Sequence, residues 1–235
     1  MDADFDLSRL DEIPDFVAAP APPRAAPAPR PAAGLAGPAR DALRKQRALA
    51  VTAAVVWLVA QVATLGLRTD LDKLGKVYPL VQIGGPALLA AAALALAAWP
   101  SRDGLGASSR TLGAVAWGAI AALAAATIVL PLPFDYTPPP GSIPTVPWAL
   151  VCADIVLVMG ALPLAIFAAA WRRSFPAASS ARTAALGAAA GLGAVTSMHL
   201  HCENIFAYHV VVAHMIPAAL LAAAGAFVLH RITRA

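Results

Sequence analysis

The chain has 235 residues, of which 60% are hydrophobic and 13% charged, and its formal net charge is +4. A soluble domain of this size carries about 25% charged residues, so the composition argues against a soluble protein. The basic residues lie at the ends of apolar runs rather than in one patch, which argues against direct nucleic acid binding.

The chain begins with an acidic tail, whose first 20 residues lack the apolar segment of an export signal. Five apolar side chains stand among the acids, most of them three residues apart as on one face of a short helix: Phe5, Leu7, Leu10, Ile13 and Phe16. We expect them to enter a groove of a partner protein, with a solvated tail that binds nothing as the alternative. Residues 19–39 are rich in Ala and Pro, so residues 1–39 are predicted to form a disordered tail and linker.

Residues 40–235 are predicted to form an all-α, polytopic membrane helix bundle. A bilayer core of about 30 Å is crossed by about 20 apolar residues in a helix. Six nearly uncharged runs approach that length, at 48–67, 78–99, 111–131, 148–171, 183–200 and 210–229. The fifth run is the shortest and most polar, but its Ala and Gly residues favour close packing among other helices.

The distribution of basic residues predicts the orientation of the bundle. Of the 17 Lys and Arg residues, 14 lie in the tail, in the loops near 102–110 and 172–182, or at the C-terminal end. Only Arg68, Lys73 and Lys76 lie in the opposite loops. Because cytoplasmic segments carry the excess of Lys and Arg, we expect a multi-pass protein of the bacterial inner membrane with both termini in the cytoplasm.

Thiol and imidazole groups gather near the outer ends of the fourth, fifth and sixth helices. With this topology one level of the membrane holds Cys152, His199, His201, Cys202, His209 and His214, together with the acids Asp154 and Glu203. Ionisable groups inside membrane helices are costly and tend to mark function. Thiolates and imidazoles bind soft divalent metals such as zinc, and two thiols at one level can instead form a disulfide. The alternatives are cysteines that only pack and histidines that bond headgroups or loop carbonyls.

The sequence lacks the short motifs of serine hydrolases, nucleotide-binding enzymes and metalloproteases. Lys and Arg are nearly absent from the apolar runs, and no pair of broken helices marks a transport site. We therefore expect neither an enzyme nor a transporter. The rival hypothesis is a membrane haem or redox protein, with His199 or His201 and His209 or His214 as axial ligands.

Several short segments share the pattern of a known family. They are Val151-Cys-Ala-Asp, Gly160-Ala-Leu-Pro-Leu, the Arg172-Arg173 loop, Gly187 to Gly193, Met198-His-Leu-His-Cys202-Glu203, and Gly66-Leu-Arg-Thr-Asp70. Over residues 40–235 the chain resembles the NrsF-type family of six-helix membrane anti-sigma factors. Glu203 stands where that family usually has proline, and His209 and His214 are additions to its pattern.

The resemblance implies a regulator that holds an extracytoplasmic-function sigma factor inactive at the membrane. It also implies that Cys152 and Cys202 correspond to the family's paired cysteines, which take part in sensing metal or oxidative stress. We therefore predict a signal-transducing anti-sigma factor, whose tail releases its partner when metal binding or oxidation at these cysteines changes helix packing. A membrane subunit that recruits a partner without sensing anything is a third hypothesis.

Overall fold

The computed structural model describes residues 37–98, 107–130, 146–171 and 179–234. The chain divides into two units, Met1–Asp41 and Ala42–Ala235, and the second contains the predicted thiol and imidazole groups. The predicted partner-binding side chains lie outside the described residues, as does most of the linker: Phe5, Leu7, Leu10, Ile13 and Phe16.

Six helices in the described residues are long and apolar enough to cross a membrane, which confirms the predicted all-α, six-helix architecture. They are α1 (Gly37–Leu65), α2 (Val77–Ala98), α3 (Ser109–Val129), α4 (Val146–Trp171), α5 (Ser180–His201) and α6 (Ala207–Ile232). A short 3-10 helix, Leu71–Leu74, lies between α1 and α2. No strand occurs within the described ranges.

Several helices begin or end where local chemistry satisfies unpaired backbone groups. The Ser108 Oγ accepts a hydrogen bond from the backbone of α3 at 3.0 Å, and Ser179 caps α5 in the same way. The residue after α1 is Gly66, whose φ of 84° is strained for any residue with a Cβ. α1 begins at Gly37, before the predicted boundary at residue 40, because Ala, Arg, Lys and Gln ahead of its apolar run favour helix.

α5 lies at the centre of the bundle, in contact with α2, α3, α4 and α6. Of its most apolar window 89% is buried, against 11% for α1. A Cβ on Gly187 would lie 2.2 Å from the carbonyl oxygen of Leu221 in α6, and one on Gly191 would lie 2.8 Å from Ala218 Cα. Small residues at such contacts let two helix backbones approach closely. The least apolar of the six helices is therefore the most enclosed.

The lateral surface of the bundle is apolar. Val59 on α1 is 63% exposed, Leu88 on α2 is 71% exposed and Phe227 on α6 is 69% exposed. Apolar surface on this scale is unfavourable in water but matches the hydrocarbon chains of a bilayer. The described helices thus have the surface of a multi-pass membrane protein.

Candidate functional site

One end of the bundle brings the two cysteines together. α4 begins there and carries Cys152, and α5 ends there, so that Cys202 directly follows its last residue. α6 begins at the same end and supplies His209 and His214. We call this end, defined by these four residues, the cysteine end.

The four side chains form a tight cluster. Both Sγ atoms and one ring nitrogen from each histidine lie within 4.8 Å of one another. Cys202 Sγ and His209 Nε2 are 3.4 Å apart, at hydrogen-bonding distance. Cys152, His209 and His214 are buried, Cys202 is half-buried, and both cysteines are free thiols. The structure thus brings four of the residues named from the sequence into direct proximity.

A π-helical turn pairs the two histidines. His209 and His214 are five residues apart, which in an α-helix of 3.6 residues per turn places them about 140° apart around the axis. The turn Val211–Met215 is π-helical, so residues five apart come close to the same face. Their ring centroids are 5.4 Å apart. Local widening of α6 therefore aims both imidazoles at the cysteines.

Several nitrogens of the cluster lack hydrogen-bond partners. Within the described part of the chain, His209 Nδ1, both ring nitrogens of His214 and His199 Nε2 are buried without one. Buried polar groups in native proteins are almost always satisfied, because an unmade hydrogen bond costs free energy. The cluster thus holds ring nitrogens that are available to a bound group.

Cys202 is the thiol of the pair that lies outside the helices. The hydrogen bond from the Cys152 thiol lowers the pKa of Cys202, and the contact with His209 acts in the same direction. A pocket of about 360 Å³ reaches both cysteines from the end of the bundle, between Trp148 on α4 and Met198 on α5. An ion or a small oxidant thus has a route to the sulfur atoms.

The remaining predicted residues lie around the cluster rather than in it. His199 packs edge-on against His214, with ring centroids 4.7 Å apart, which leaves no space between them for a flat macrocycle such as haem. The His201 Nδ1 is 3.1 Å from the carbonyl oxygen of Gly66, and His201 lines the pocket that reaches the thiols. Asp154 is exposed on the surface of α4.

The donor set suits a thiophilic metal ion. Zinc in tetrahedral protein sites takes thiolates at about 2.3 Å and imidazoles at about 2.0–2.1 Å, which sets neighbouring ligand atoms roughly 3.3–3.8 Å apart. The cluster, with all four atoms within 4.8 Å, needs only small side-chain movements to reach that geometry. The residues that would hold the ion are Cys152, Cys202, His209 and His214.

Sequence reasoning missed a second polar group at the same end. Arg68 and Asp70 follow α1 and form a buried ion pair, with Arg68 Nε 2.6 Å from Asp70 Oδ1. In the sequence both charges belong to the family-like segment Gly66-Leu-Arg-Thr-Asp70, and Arg68 also entered the count of loop charges, but no ion pair was predicted. A positively and a negatively charged residue close together after the glycine that ends a membrane helix would have been the signal to look for, because unpaired charges are costly at that depth.

Comparison with known families shows to which family the chain belongs. The family model described as negative regulator of sigma F, NrsF, matches residues 32–234. The chain belongs to the NrsF family. No curated protein matches it, and no solved structure does. The match confirms the resemblance drawn from the sequence and makes this NrsF protein a negative regulator of a sigma factor.

The NrsF match includes all six helices that are long and apolar enough to cross a membrane, and therefore the whole cysteine end. A family of regulators points to a non-enzymatic role.

Proposed function

We propose that this NrsF protein is an inner-membrane anti-sigma factor that releases an extracytoplasmic-function sigma factor when its cysteine end binds a soft metal ion or is oxidised. The observation that carries the proposal is the cluster of two thiols and two imidazoles within 4.8 Å in a member of a sigma-regulator family. A ligand that satisfies the unpartnered nitrogens stabilises one packing of α4, α5 and α6 over another.

The proposed orientation has the cysteine end outside and both termini in the cytoplasm. Arg44, Arg110 and Arg231 lie at the opposite end of the bundle, as expected for the cytoplasmic side. At the cysteine end Arg68 is paired with Asp70, so it adds little net charge there. With this orientation the site receives stimuli from the periplasm, while the tail meets the sigma factor in the cytoplasm.

As a metal sensor, the site takes a soft divalent ion such as zinc or cadmium. The two thiols lose their protons when the ion binds, and the imidazoles of His209 and His214 complete the ligand set. Because the ligands come from α4, from the segment after α5 and from α6, one ion would fix the relative positions of these elements.

As a redox sensor, the site exchanges with an external disulfide. The half-buried Cys202 thiolate attacks the disulfide and expels one of its thiols, and Cys152 then displaces the second. A Cys152–Cys202 bond forms, and the oxidant leaves as two reduced thiols. The pocket of about 360 Å³ gives such an oxidant access to the pair.

The tail is the proposed sigma-binding segment. Its five apolar side chains stand among acids, a composition suited to a groove with a basic rim. The segment can fold when it binds such a groove. The residues are Phe5, Leu7, Leu10, Ile13 and Phe16. The linker that follows has the reach to present the segment away from the membrane.

The test of the tail is recovery of the sigma factor from detergent-solubilised membranes. The bait is the full-length protein, compared with a variant in which the five apolar tail residues are replaced by Ser. The matched control carries five Ala-to-Ser changes in the linker, at Ala21, Ala25, Ala26, Ala28 and Ala32. We expect the parent and the control to recover a sigma factor and the tail variant to lose it. Equal recovery by the tail variant would exclude the tail as the contact.

The test of sensing uses the same complex on beads. Cadmium or the thiol oxidant diamide should elute the sigma factor from the parent protein and leave it bound to a Cys152→Ser, Cys202→Ser double variant. If the double variant releases the sigma factor as efficiently as the parent, release does not depend on the two cysteines.

A further inference from the structure

A buried ion pair fixes the end of α1. Arg68 Nε lies 2.6 Å from Asp70 Oδ1, and Arg68 Nη2 lies 2.8 Å from Asp70 Oδ2, so the contact is two-pronged. The two side chains are only 2% and 5% exposed. Paired donors and acceptors in this geometry hold their orientation firmly, and separating them in a buried setting leaves an unpaired charge.

The same arginine reaches both sides of Cys202. Its Nη2 donates to the Glu203 carbonyl oxygen at 3.1 Å, and its Nη1 lies 3.5 Å from the carbonyl oxygen of His199. Its backbone N–H donates to the carbonyl oxygen of Leu200 at 2.8 Å. The segment that carries one sensing thiol is therefore bound at three points by a single residue after α1.

Thr69 adds a second attachment. Its backbone N–H and its hydroxyl both donate to Glu203 Oε1, at 3.0 Å and 2.6 Å. We call Arg68, Thr69, Asp70 and Glu203 together the clamp. The clamp thus attaches the residues that follow α1 to Glu203, the residue next to Cys202 in the chain.

Elsewhere α1 is held loosely. Only 11% of its most apolar window is buried. A groove of about 820 Å³ separates part of it from α2 and α5. Trp57 Nε1 donates to the Met159 carbonyl oxygen at 3.0 Å, and Arg47 donates to that of Ala98 at 3.1 Å. A helix with so few buried side chains is free to shift when the attachment at one end shifts.

We propose that the clamp transmits the state of the cysteine site to α1, the helix that follows the tail in the chain. This inference rests on the proposed function and supplies its missing link, since the sensing thiols lie on other helices. When the site closes, Cys202 is drawn towards Cys152, and residues 199–203 move with it. Because the hydrogen bonds from Arg68 and Thr69 to this segment would otherwise break, and the ion pair with Asp70 holds Arg68 in place to make them, α1 follows.

The experiment is amide hydrogen exchange of the full-length protein in detergent, before and after the site is closed with cadmium or with diamide. Closure is verified independently, by thiolate-to-cadmium absorbance or by loss of free thiols. In the parent we expect slower exchange over residues 62–70, because a closed site immobilises the segment to which Arg68 is bound. The Arg68 amide, which donates to Leu200, is the most direct reporter.

The decisive variant is Arg68→Gln with Asp70→Asn, which removes both charges and leaves the four site residues in place. We expect it to close its site and to lose most of the α1 response. A milder variant, Glu203→Ala, removes the carboxylate that accepts both Thr69 hydrogen bonds and should lose part of the response. It covers the case in which the double variant does not fold.

The matched control is Gln82→Leu with Thr127→Val, which removes a buried hydrogen-bonded pair between α2 and α3 but leaves the clamp intact. It should keep the full response. Equal α1 responses in the parent, the double variant and Glu203→Ala would overturn the proposal, as would a closed site with no α1 response in the parent. If neither reagent closes the site, both the proposed sensing function and the clamp proposal are wrong. The absorbance and free-thiol measurements distinguish this outcome from a site that closes without an α1 response.

Discussion

Cys152 and Cys202 line the same pocket, but they differ in exposure. Cys152 is buried within α4, whereas Cys202 is half-buried and accepts the hydrogen bond that lowers its pKa. A thiolate is the nucleophile in thiol exchange and the ligand in metal binding. Cys202 is therefore the group that meets a reagent first, and Cys152 is the one that completes the site.

This difference gives a pH prediction at the level of single residues. Because the pKa of Cys202 is lowered, its thiolate persists to lower pH than that of an ordinary cysteine. Replacing Cys152 with Ala removes the hydrogen bond, so the pKa of Cys202 should rise and its pH profile of alkylation by iodoacetamide should move to higher pH. Cys152→Ser keeps a hydroxyl donor, so its pH profile of alkylation should lie nearer that of the parent. A profile that is the same in parent and Ala variant would contradict the assigned cause.

The cluster could be predicted from the sequence in its main parts. Topology alone places Cys152, Cys202, His209 and His214 at one depth, because each stands near an end of a predicted helix. Depth does not fix rotation about a helix axis, so it could not separate His201, which contacts Gly66, from the residues that meet the thiols. The role of Arg68 was missed for a related reason: its ion-pair partner Asp70 is two residues away, but the carbonyl groups of His199 and Glu203 that it contacts lie more than 130 residues away in the chain.

Among the elements, α5 shows how composition and burial combine. Its Ala and Gly content lowers its hydropathy, yet the same small side chains allow α6 to approach until backbone atoms touch. This role was predictable from the glycines of the fifth run. The π-helical turn of α6 was not, because no residue type in Val-Val-Ala-His-Met signals it and its geometry is favoured by packing.

The α5–α6 contact predicts a large effect of a very small substitution. Gly187→Ala would place a Cβ 2.2 Å from the carbonyl oxygen of Leu221, so the two helices must separate. We expect a loss of about 1–3 kcal/mol in stability, the usual cost of overpacking. Gly118→Ala is the matched control, since a Cβ there meets nothing within 4 Å. Thermal unfolding in detergent measures both, and equal midpoints would disprove the close contact.

On the scale of the whole molecule, the proposed function separates the site that receives the signal from the segment that responds to it. The thiols lie at one end of the bundle, while the tail precedes α1, whose N-terminal part lies at the other end. A signal must therefore cross the thickness of the helix bundle. The clamp and the sparse packing of α1 together provide a single moving element for that purpose, rather than a chain of contacts through the enclosed α5.

The proposed orientation is testable with two cysteine substitutions in a Cys152→Ala, Cys202→Ala background. Asp72 is exposed near the cysteine end and Ser109 is exposed at the opposite end. A membrane-impermeant maleimide should label Asp72→Cys in intact spheroplasts and Ser109→Cys only after lysis, because the positive-inside distribution puts residue 109 in the cytoplasm. The reverse labelling pattern would show that the protein has the opposite orientation in the membrane, with the thiols on the cytoplasmic side.

The π-helical turn of α6 has a consequence for how such a protein changes over evolution. A π turn amounts to one extra residue accommodated in an α-helix, so losing a single codon within Val211–Met215 restores regular winding. The helix would still span the same membrane and pack on α5. A deletion between His209 and His214 would leave them four residues apart in a regular α-helix, about 40° apart around its axis, so both imidazoles would stay on one face. A lineage can thus lose or gain one residue in this segment with the six-helix frame and the imidazole pair both intact, and relatives with a shorter segment are expected to keep the site.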